Sequence, residues 1–74
     1  MTLDKATIGK TYRVTSLKDG GELRRRIMDM GLTKGAEVSV CKVAPLGDPI
    51  ELTVRGYQLS LRKSDAATIE VEPV

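Results

Sequence analysis

The sequence of 74 residues contains no histidine, phenylalanine or tryptophan, and it has a single cysteine. Without histidine, the commonest general base at neutral pH is missing, and the thiol of Cys41 has no imidazole to activate it. One cysteine and no histidine also cannot supply the ligands of a transition-metal cage within one chain. Neither of the glycine-rich patterns that cradle phosphates occurs in the chain. We therefore expect no catalytic residues, no metal ligands and no bound cofactor.

Long apolar runs and strong charge asymmetry are also missing. No segment is long and apolar enough to predict a membrane-spanning helix, and residues 1–9 lack the apolar region of a signal peptide. The lone cysteine fits a reducing compartment. A net charge of +2 and only two aromatic residues argue against nucleic-acid binding. These absences predict a cytoplasmic protein that neither inserts into a membrane nor binds nucleic acid.

What the chain does contain predicts one small domain over residues 1–74, with an aliphatic core. Hydrophobic residues make up 41% of it, which is enough to form a compact core. Alternating apolar and polar residues, with turn residues between them, predict five short strands. The predicted strands cover 10–17, 36–43, 50–55, 57–61 and 68–71. The residues 19–21 break the first strand, and a short turn or one turn of 3₁₀ helix is expected over 64–67.

One segment, 22–30, has helical periodicity instead. Leu23, Ile27 and Met30 fall on one face of a helix, and Gly31 follows where a left-handed cap is expected. Five short strands and one short helix are typical of a barrel that hides strand edges. The sequence therefore predicts a mostly β fold, a small SH3-like antiparallel barrel with the helix inserted after the first strand.

Two apolar residues have no predicted place in the core. Met28 lies about 140° around the helix from Leu23, well away from the apolar face. Leu46 lies in the loop 44–49, which two prolines make rigid. An exposed methionine suits an adaptable docking surface, so we expect a shared patch if the loop and the helix lie near each other.

The densest basic cluster is Arg24–Arg26 on the predicted helix. It fits an acidic partner surface, a phosphate or an RNA backbone. The favoured interpretation is a solvated helix face, since Glu22 and Asp29 lie four residues from Arg26 and Arg25 respectively. The charges of Arg55, Arg62 and Lys63 are interpreted as scattered surface charges.

Four motifs along the chain resemble one family. The segment RIMDMGLTKG at 26–35 resembles the R-L-x-x-M-G-L-x-x-G signature of FeoA, ferrous iron transport protein A. The loop APLGDPI at 44–50, VRGY at 54–57 and LSLRK at 59–63 are similar to further motifs of that family. The motifs occur in register over nearly the whole chain, and the one departure noticed, Ile27 in place of leucine, keeps the apolar character.

The resemblance implies an SH3-like barrel and an accessory role in ferrous iron uptake. Its expected partner is the membrane transporter FeoB, which carries a cytosolic GTP-binding domain. On this basis we expect partner contacts at Met28, Leu46, Gly47 and Asp48, with Arg25 as a charged rim. Two alternatives remain, a nucleic-acid-binding SH3-like barrel and a metal-sensing regulatory module. Open strand edges and the exposed Met28 also leave self-association open.

Overall fold

The computed structural model describes residues 1–18 and 20–74. A short 3₁₀ helix at Leu3–Lys5 precedes the first strand. The remaining elements are β1 (Thr11–Leu17), α1 (Gly21–Asp29), β2 (Glu37–Val43), β3 (Ile50–Val54), β4 (Tyr57–Leu61), α2 (Lys63–Ala66) and β5 (Ile69–Pro73). This order confirms a mostly β fold with one helix inserted after the first strand.

The five strands form one antiparallel sheet in the order β4-β3-β2-β1-β5. β1 lies between β2 and β5, and its first half pairs with β2 while most of its length pairs with β5. The pairing with β5 has a register shift between Val14 and Ser16. Such irregularities bend a strand, and the bend lets a five-stranded sheet curl around one core. The strand break expected at 19–21 falls partly on Asp19, which lies outside the described residues.

The core is aliphatic, as the composition predicts. β3 alternates cleanly, with Ile50, Leu52 and Val54 buried. Tyr12 of β1 is the one buried aromatic side chain among the described residues, and its hydroxyl accepts the backbone N–H of Thr7 at 2.9 Å. This hydrogen bond lowers the pKa of Tyr12.

The buried side chains come from both sheet and helix segments. They are Leu3, Tyr12, Val14, Ile27, Leu32, Ala36, Val38, Val40, Ile50, Leu52, Val54, Leu61, Ala66, Ile69 and Val71.

α1 ends as the sequence predicts, at a glycine in the left-handed region. Gly31 has φ of +96°, and its N–H donates to the carbonyl of Met28 at 2.9 Å. The N–H of Leu32 donates to the carbonyl of Ile27 at 3.2 Å. These two bonds define a Schellman motif, in which apolar residues on either side of the cap pack together. Both Ile27 and Leu32 are buried, so this contact fixes the helix end to the core.

Three local features differ from the sequence analysis. The segment 64–67, expected as a turn or one turn of 3₁₀ helix, is an α-helix that begins one residue earlier, Lys63–Ala66. The 3₁₀ helix at Leu3–Lys5 was not predicted, because a buried leucine in a three-residue helix leaves no periodicity to detect. Alternation along β4 predicts Tyr57 to point inward with Leu59 and Leu61, but it remains 43% exposed. It stands at the hairpin corner, where its hydroxyl reaches the end of α1.

Candidate functional site

The most exposed apolar side chain of the molecule is carried by the loop 44–49, which we call the tip loop. It joins β2 to β3, and its ends are tied by the Ala44 N–H donating to the carbonyl of Pro49 at 3.1 Å. Inside it, the N–H of Gly47 donates to the carbonyl of Ala44 at 2.7 Å, and Gly47 has φ of +87°. Leu46 stands between these turns and is 97% exposed. The loop therefore holds a leucine away from the core in a defined position.

Asp48 holds the tip loop against the following helix. Its Oδ1 accepts the backbone N–H of Lys63 at 2.9 Å, the first residue of α2. A carboxylate at this place satisfies one of the N–H groups that the first turn of a helix leaves free. The peptide bond between Asp48 and Pro49 is cis. Asp48 thus positions the loop that carries Leu46.

Met28 lies on the exposed surface of α1, as its helical position predicts, with 41% of its area accessible. It lines a cavity of about 320 Å³ together with Arg24 and Arg25. A second cavity joins it to Leu17 and Lys34 on the β1 side of the helix. We call Arg24, Arg25 and Met28 the helix face.

The five residues expected to contact a partner therefore fall into two groups. Arg25 and Met28 line one cavity of the helix face, while Leu46, Gly47 and Asp48 belong to the tip loop. Neither cavity that Met28 lines includes a tip-loop residue. These cavities do not join the methionine and the leucine, and the shared patch stays a prediction.

The arginines of α1 form no ion pair within residues 1–18 and 20–74. The helical spacing would allow Glu22 to form an ion pair with Arg26 and Asp29 to form one with Arg25. Neither ion pair forms within these residues. Exposed pairs at this spacing contribute only about 0.3–0.5 kcal/mol, which the entropy of two long side chains readily offsets. The positive charge of the helix is therefore left for contacts outside the chain.

Charges on or next to the strands, by contrast, are paired with each other. The ion pairs between side chains there are Arg13 with Glu37 and Glu72, Lys18 with Glu70, and Lys42 with Glu51. The ammonium of Lys18 lies 3.0 Å from Glu70 Oε2, and this hydrogen bond lowers the pKa of Glu70 below its ordinary value of 4.5. The helix and the sheet thus differ in how their charges are used.

Two side chains from the β3–β4 turn hold the C-terminal end of α1, and we call them the clasp. Arg55 donates from Nε to the carbonyl of Gly31 at 3.1 Å and from its guanidinium to Thr33 Oγ1 at 2.9 Å. The hydroxyl of Tyr57 donates to the carbonyl of Met30. The end of a helix leaves carbonyls without intrahelical partners, and the clasp satisfies two in succession. Interpreting Arg55 as a scattered surface charge was wrong.

The clasp also explains why a glycine stands at position 31. A Cβ atom there would lie 2.7 Å from the Tyr57 hydroxyl and 3.3 Å from Cδ of Arg55. The turn itself is unusual, because Arg55 and Gly56 both have positive φ, at +50° and +84°. That combination defines a type I′ hairpin turn. Two motifs singled out in the sequence, MGL and VRGY, are therefore two halves of one contact, and their joint occurrence was the signal that could have revealed it.

The remaining features considered are a metal site, the thiol of Cys41 and a membrane-spanning helix. Among residues 1–18 and 20–74, no three side chains of histidine, cysteine, aspartate or glutamate come together in a way that could hold a metal ion. Cys41 is exposed, and its Sγ lies 2.7 Å from Oγ1 of Thr53. No helix in the described part of the chain is long and apolar enough to span a membrane.

Comparison with known proteins places this barrel among described relatives. The family model of the FeoA domain matches residues 1–73. The chain is 38% identical over 72 residues to the Fe(2+) transport protein A/Fe(2+) transporter FeoB fusion protein of Porphyromonas gingivalis. This match covers 97% of the chain and only 8% of the fusion protein. The chain therefore corresponds to a small part of that relative.

Solved structures agree in fold over the whole chain. A FeoA-like protein from Clostridium acetobutylicum is 43% identical, with a TM-score of 0.93, and the match covers 100% of this chain and 86% of that one. FeoA of Stenotrophomonas maltophilia, a prokaryotic SH3 domain protein solved in complex with zinc, is 29% identical with a TM-score of 0.85. That match covers 97% of this chain and 89% of the other. The SH3-like barrel expected from the sequence is confirmed.

Proposed function

The chain belongs to the FeoA domain family, and from this premise we propose that it is a cytosolic accessory protein that docks on an FeoB-type ferrous iron transporter and regulates it. One observation carries the proposal. In the relative from Porphyromonas gingivalis, a segment similar to nearly this whole chain is part of one polypeptide with an FeoB transporter. The proposal assigns the chain no reaction of its own, and ferrous iron enters it only as the transporter's cargo.

Covalent fusion supports docking for a physical reason. Two domains on one chain meet at an effective concentration that reaches the millimolar range for short flexible linkers, so even a weak contact between them is occupied. Such a contact is made by the surface of the barrel, which makes the exposed features of this barrel the natural contact residues.

The tip loop and the helix face are the surfaces we assign to this contact. Leu46 is fully presented on a loop restrained by two internal hydrogen bonds and by Asp48. A restrained loop loses less conformational entropy on binding than a mobile one. Met28 offers an adaptable apolar contact, and Arg25 beside it is free of any described ion pair. Buried apolar anchors with a charged rim are the usual anatomy of a protein interface.

An NMR titration tests the proposal. The ¹⁵N-labelled chain is titrated with the cytosolic GTP-binding part of the FeoB-type transporter from the same organism. We expect chemical-shift changes that include 28–31 and 45–48. Leu46→Ser should weaken binding by about tenfold, as expected for losing an exposed apolar anchor. Ile8→Ser, at a residue that is 54% exposed outside both surfaces, is the matched control and should leave binding unchanged.

The alternative outcomes separate the parts of the proposal. Shifts that leave both 28–31 and 45–48 unaffected would retain the transporter as partner and discard the tip loop and helix face. An absence of shifts at high concentration, with the intact transporter also failing to bind, would contradict the docking role. In that case a salt-dependent gel shift with nucleic acid becomes the next measurement, because such binding weakens steeply as salt rises.

A further inference from the structure

We propose that the free edge of β4 accepts an extended, acidic segment of a protein partner as an additional strand. Recognition by strand addition obtains affinity from main-chain hydrogen bonds and specificity from alternate side chains. The inference rests on the proposed function for the identity of the partner, and it adds where and in what conformation part of that partner binds.

The two edges of the sheet are built differently. β5 carries Glu70, Glu72 and Pro73, and an isolated bridge from Thr2 to Glu70 covers part of its edge. Charged residues, proline and covering segments are the devices by which proteins protect an edge from further pairing. β4 has the sequence YQLSL, without a charge or a proline. The edge formed by β4 is therefore open to a further strand.

The main-chain groups along this edge are free to pair. β4 begins at the type I′ turn, where Val54 and Tyr57 close the hairpin. Because inward and outward hydrogen bonding alternate along an antiparallel strand, the groups of Gln58 and Ser60 point away from β3. No hydrogen-bond partner for either residue's N–H or C=O occurs on that side within the part of the chain that the structure describes.

A groove beside the edge can receive the side chains of an added strand. It measures about 450 Å³ and lies between α1 and the end of β4. Leu23 and Met30, both partly buried, line it on the helix side, and Leu61 lines it on the strand side. Arg26 and Arg62 border these apolar residues. An extended segment with apolar residues on one face and carboxylates beside them would fit both features.

The charge around the groove favours an acidic occupant. Asp29 and Asp65 also line the groove. The segments 22–34 and 55–65, which form this side, nevertheless carry seven of the twelve basic residues and three of the ten acidic ones. The excess of positive charge steers acidic segments toward the edge and disfavours basic ones.

The same charges disfavour a second copy of the chain as the occupant. In an antiparallel pair of β4 strands centred on Leu59, Gln58 of one copy would face Ser60 of the other. That register brings Arg55 opposite Lys63 and repeats the contact at the other end. Like charges directly opposite each other destabilise paired strands.

Amide hydrogen exchange of the complex tests the inference directly. The probe is the cytosolic GTP-binding part of the FeoB-type transporter, added to the ¹⁵N-labelled chain. The amides of Gln58 and Ser60 should exchange at least about tenfold more slowly in the complex, because they become hydrogen-bonded. Those of Tyr57 and Leu59, already bonded to β3, should change less.

Two variants, each with a control, test the inference by binding affinity instead of amide exchange. Ser60→Pro removes an outward donor at a position where an edge strand tolerates proline, and it should weaken binding by about tenfold. Ser60→Ala keeps the N–H and should bind normally, while the thermal midpoint of both variants reports folding. Arg62→Glu leaves the backbone intact and should also weaken binding by about tenfold. Lys10→Glu, an equal charge change at an exposed residue before β1, should not.

The outcomes distinguish this inference from the proposed function. Binding that leaves the Gln58 and Ser60 amides unprotected, or that Ser60→Pro does not weaken, overturns strand addition and leaves docking intact. Failure of the unmodified chain to bind the transporter overturns the proposed function and this inference together. Protection of the two amides on concentrating the chain alone identifies a second copy as the occupant and overturns the acidic segment.

Discussion

The β5 side and the α1/β4 side of the barrel use their polar groups in opposite ways. On the β5 side, Arg13 and Lys18 pair with neighbouring carboxylates, and the edge strand carries Glu70 and Glu72. On the α1/β4 side, the arginines of the helix form no described ion pair, and the edge strand is uncharged. The charged groups on the β5 side are paired within the chain. The α1/β4 side retains charge and hydrogen-bonding capacity for contact with another molecule.

The exception on the α1/β4 side is the clasp. Arg55 and Tyr57 satisfy the carbonyls at the end of α1 and leave the rest of the helix surface free. A helix of nine residues is too short to be stable alone, so it needs attachment at its end. The clasp thus holds the end of α1 with Arg55 and leaves the arginines of the helix without an ion pair in the described residues. Four substitutions test this division.

The largest effect is expected at Gly31. Gly31→Ala places a side chain at a φ of +96° and a Cβ 2.7 Å from the Tyr57 hydroxyl. We expect the free energy of unfolding, measured with urea, to fall by about 2–4 kcal/mol. Gly35→Ala is the matched control, since Gly35 has φ of +88° with no atom within 4 Å of the added Cβ. It should lose only about 1 kcal/mol, from backbone strain alone. Equal losses for the two variants would mean that the clasp exerts no steric demand.

A smaller effect is expected at Arg55. Arg55→Gly removes the hydrogen bonds to Gly31 and Thr33 and suits the positive φ of the turn, so the lost contacts are measured without added strain. We expect a loss of about 1 kcal/mol, together with faster amide exchange in the last turn of α1. Arg62→Gly, which removes an arginine with no described ion pair, serves as the comparison. If exchange in α1 were unchanged, the helix end would be held by packing alone.

The ion pair of Lys18 with Glu70 on the β5 side predicts that the free energy of unfolding depends on pH. The pKa of Glu70 is lowered in the folded state, so its contribution to stability is present above the unfolded value near 4.5. That contribution is lost as the pH falls from about 4.5 through the lower folded pKa. Lys18→Met should therefore flatten the acid limb of stability measured by urea unfolding between pH 7 and pH 2. An identical acid limb in the variant would show that other carboxylates dominate.

The smallest effect on stability is expected at Arg25. Because Arg25 is exposed and forms no described ion pair, Arg25→Ala should change the free energy of unfolding by less than about 0.5 kcal/mol. Binding to the transporter's cytosolic part should weaken in the same variant, most clearly at low salt. Arg13→Ala on the β5 side should show no loss of binding. A loss of stability in Arg25→Ala without a loss of binding would contradict this assignment, because Arg25 would then have a structural role and no role in docking.

The elements that the sequence predicted well are those governed by local rules. Alternation in Ile50–Val54 and the helical spacing of Ile27 both survive in the structure, because a short strand or helix buries its apolar side wherever it packs. Gly31 predicted the helix end for the same reason, since the left-handed conformation at that position is a local steric requirement.

The candidate site was less predictable, because it depends on which distant segments meet. Helical geometry predicted that Met28 would be exposed, and the rigid loop predicted the same of Leu46. Their relative placement required the fold, which separates the loop from the cavities of the helix face. The bond from Asp48 to Lys63 spans fifteen positions, and no local pattern indicates it.

Local sequence patterns and composition thus determined which main segments form strands and which forms the helix. They also determined the aliphatic core and the shortage of catalytic groups. Family motifs in the sequence added the SH3-like barrel. Only the tertiary structure decided that Arg55 clasps the helix end and that β4 is an open edge. The physical reason is the range of the interactions. Backbone sterics and periodic burial act between neighbouring residues, whereas a clasp, an ion pair or a free strand edge exists only after the chain has brought remote segments together.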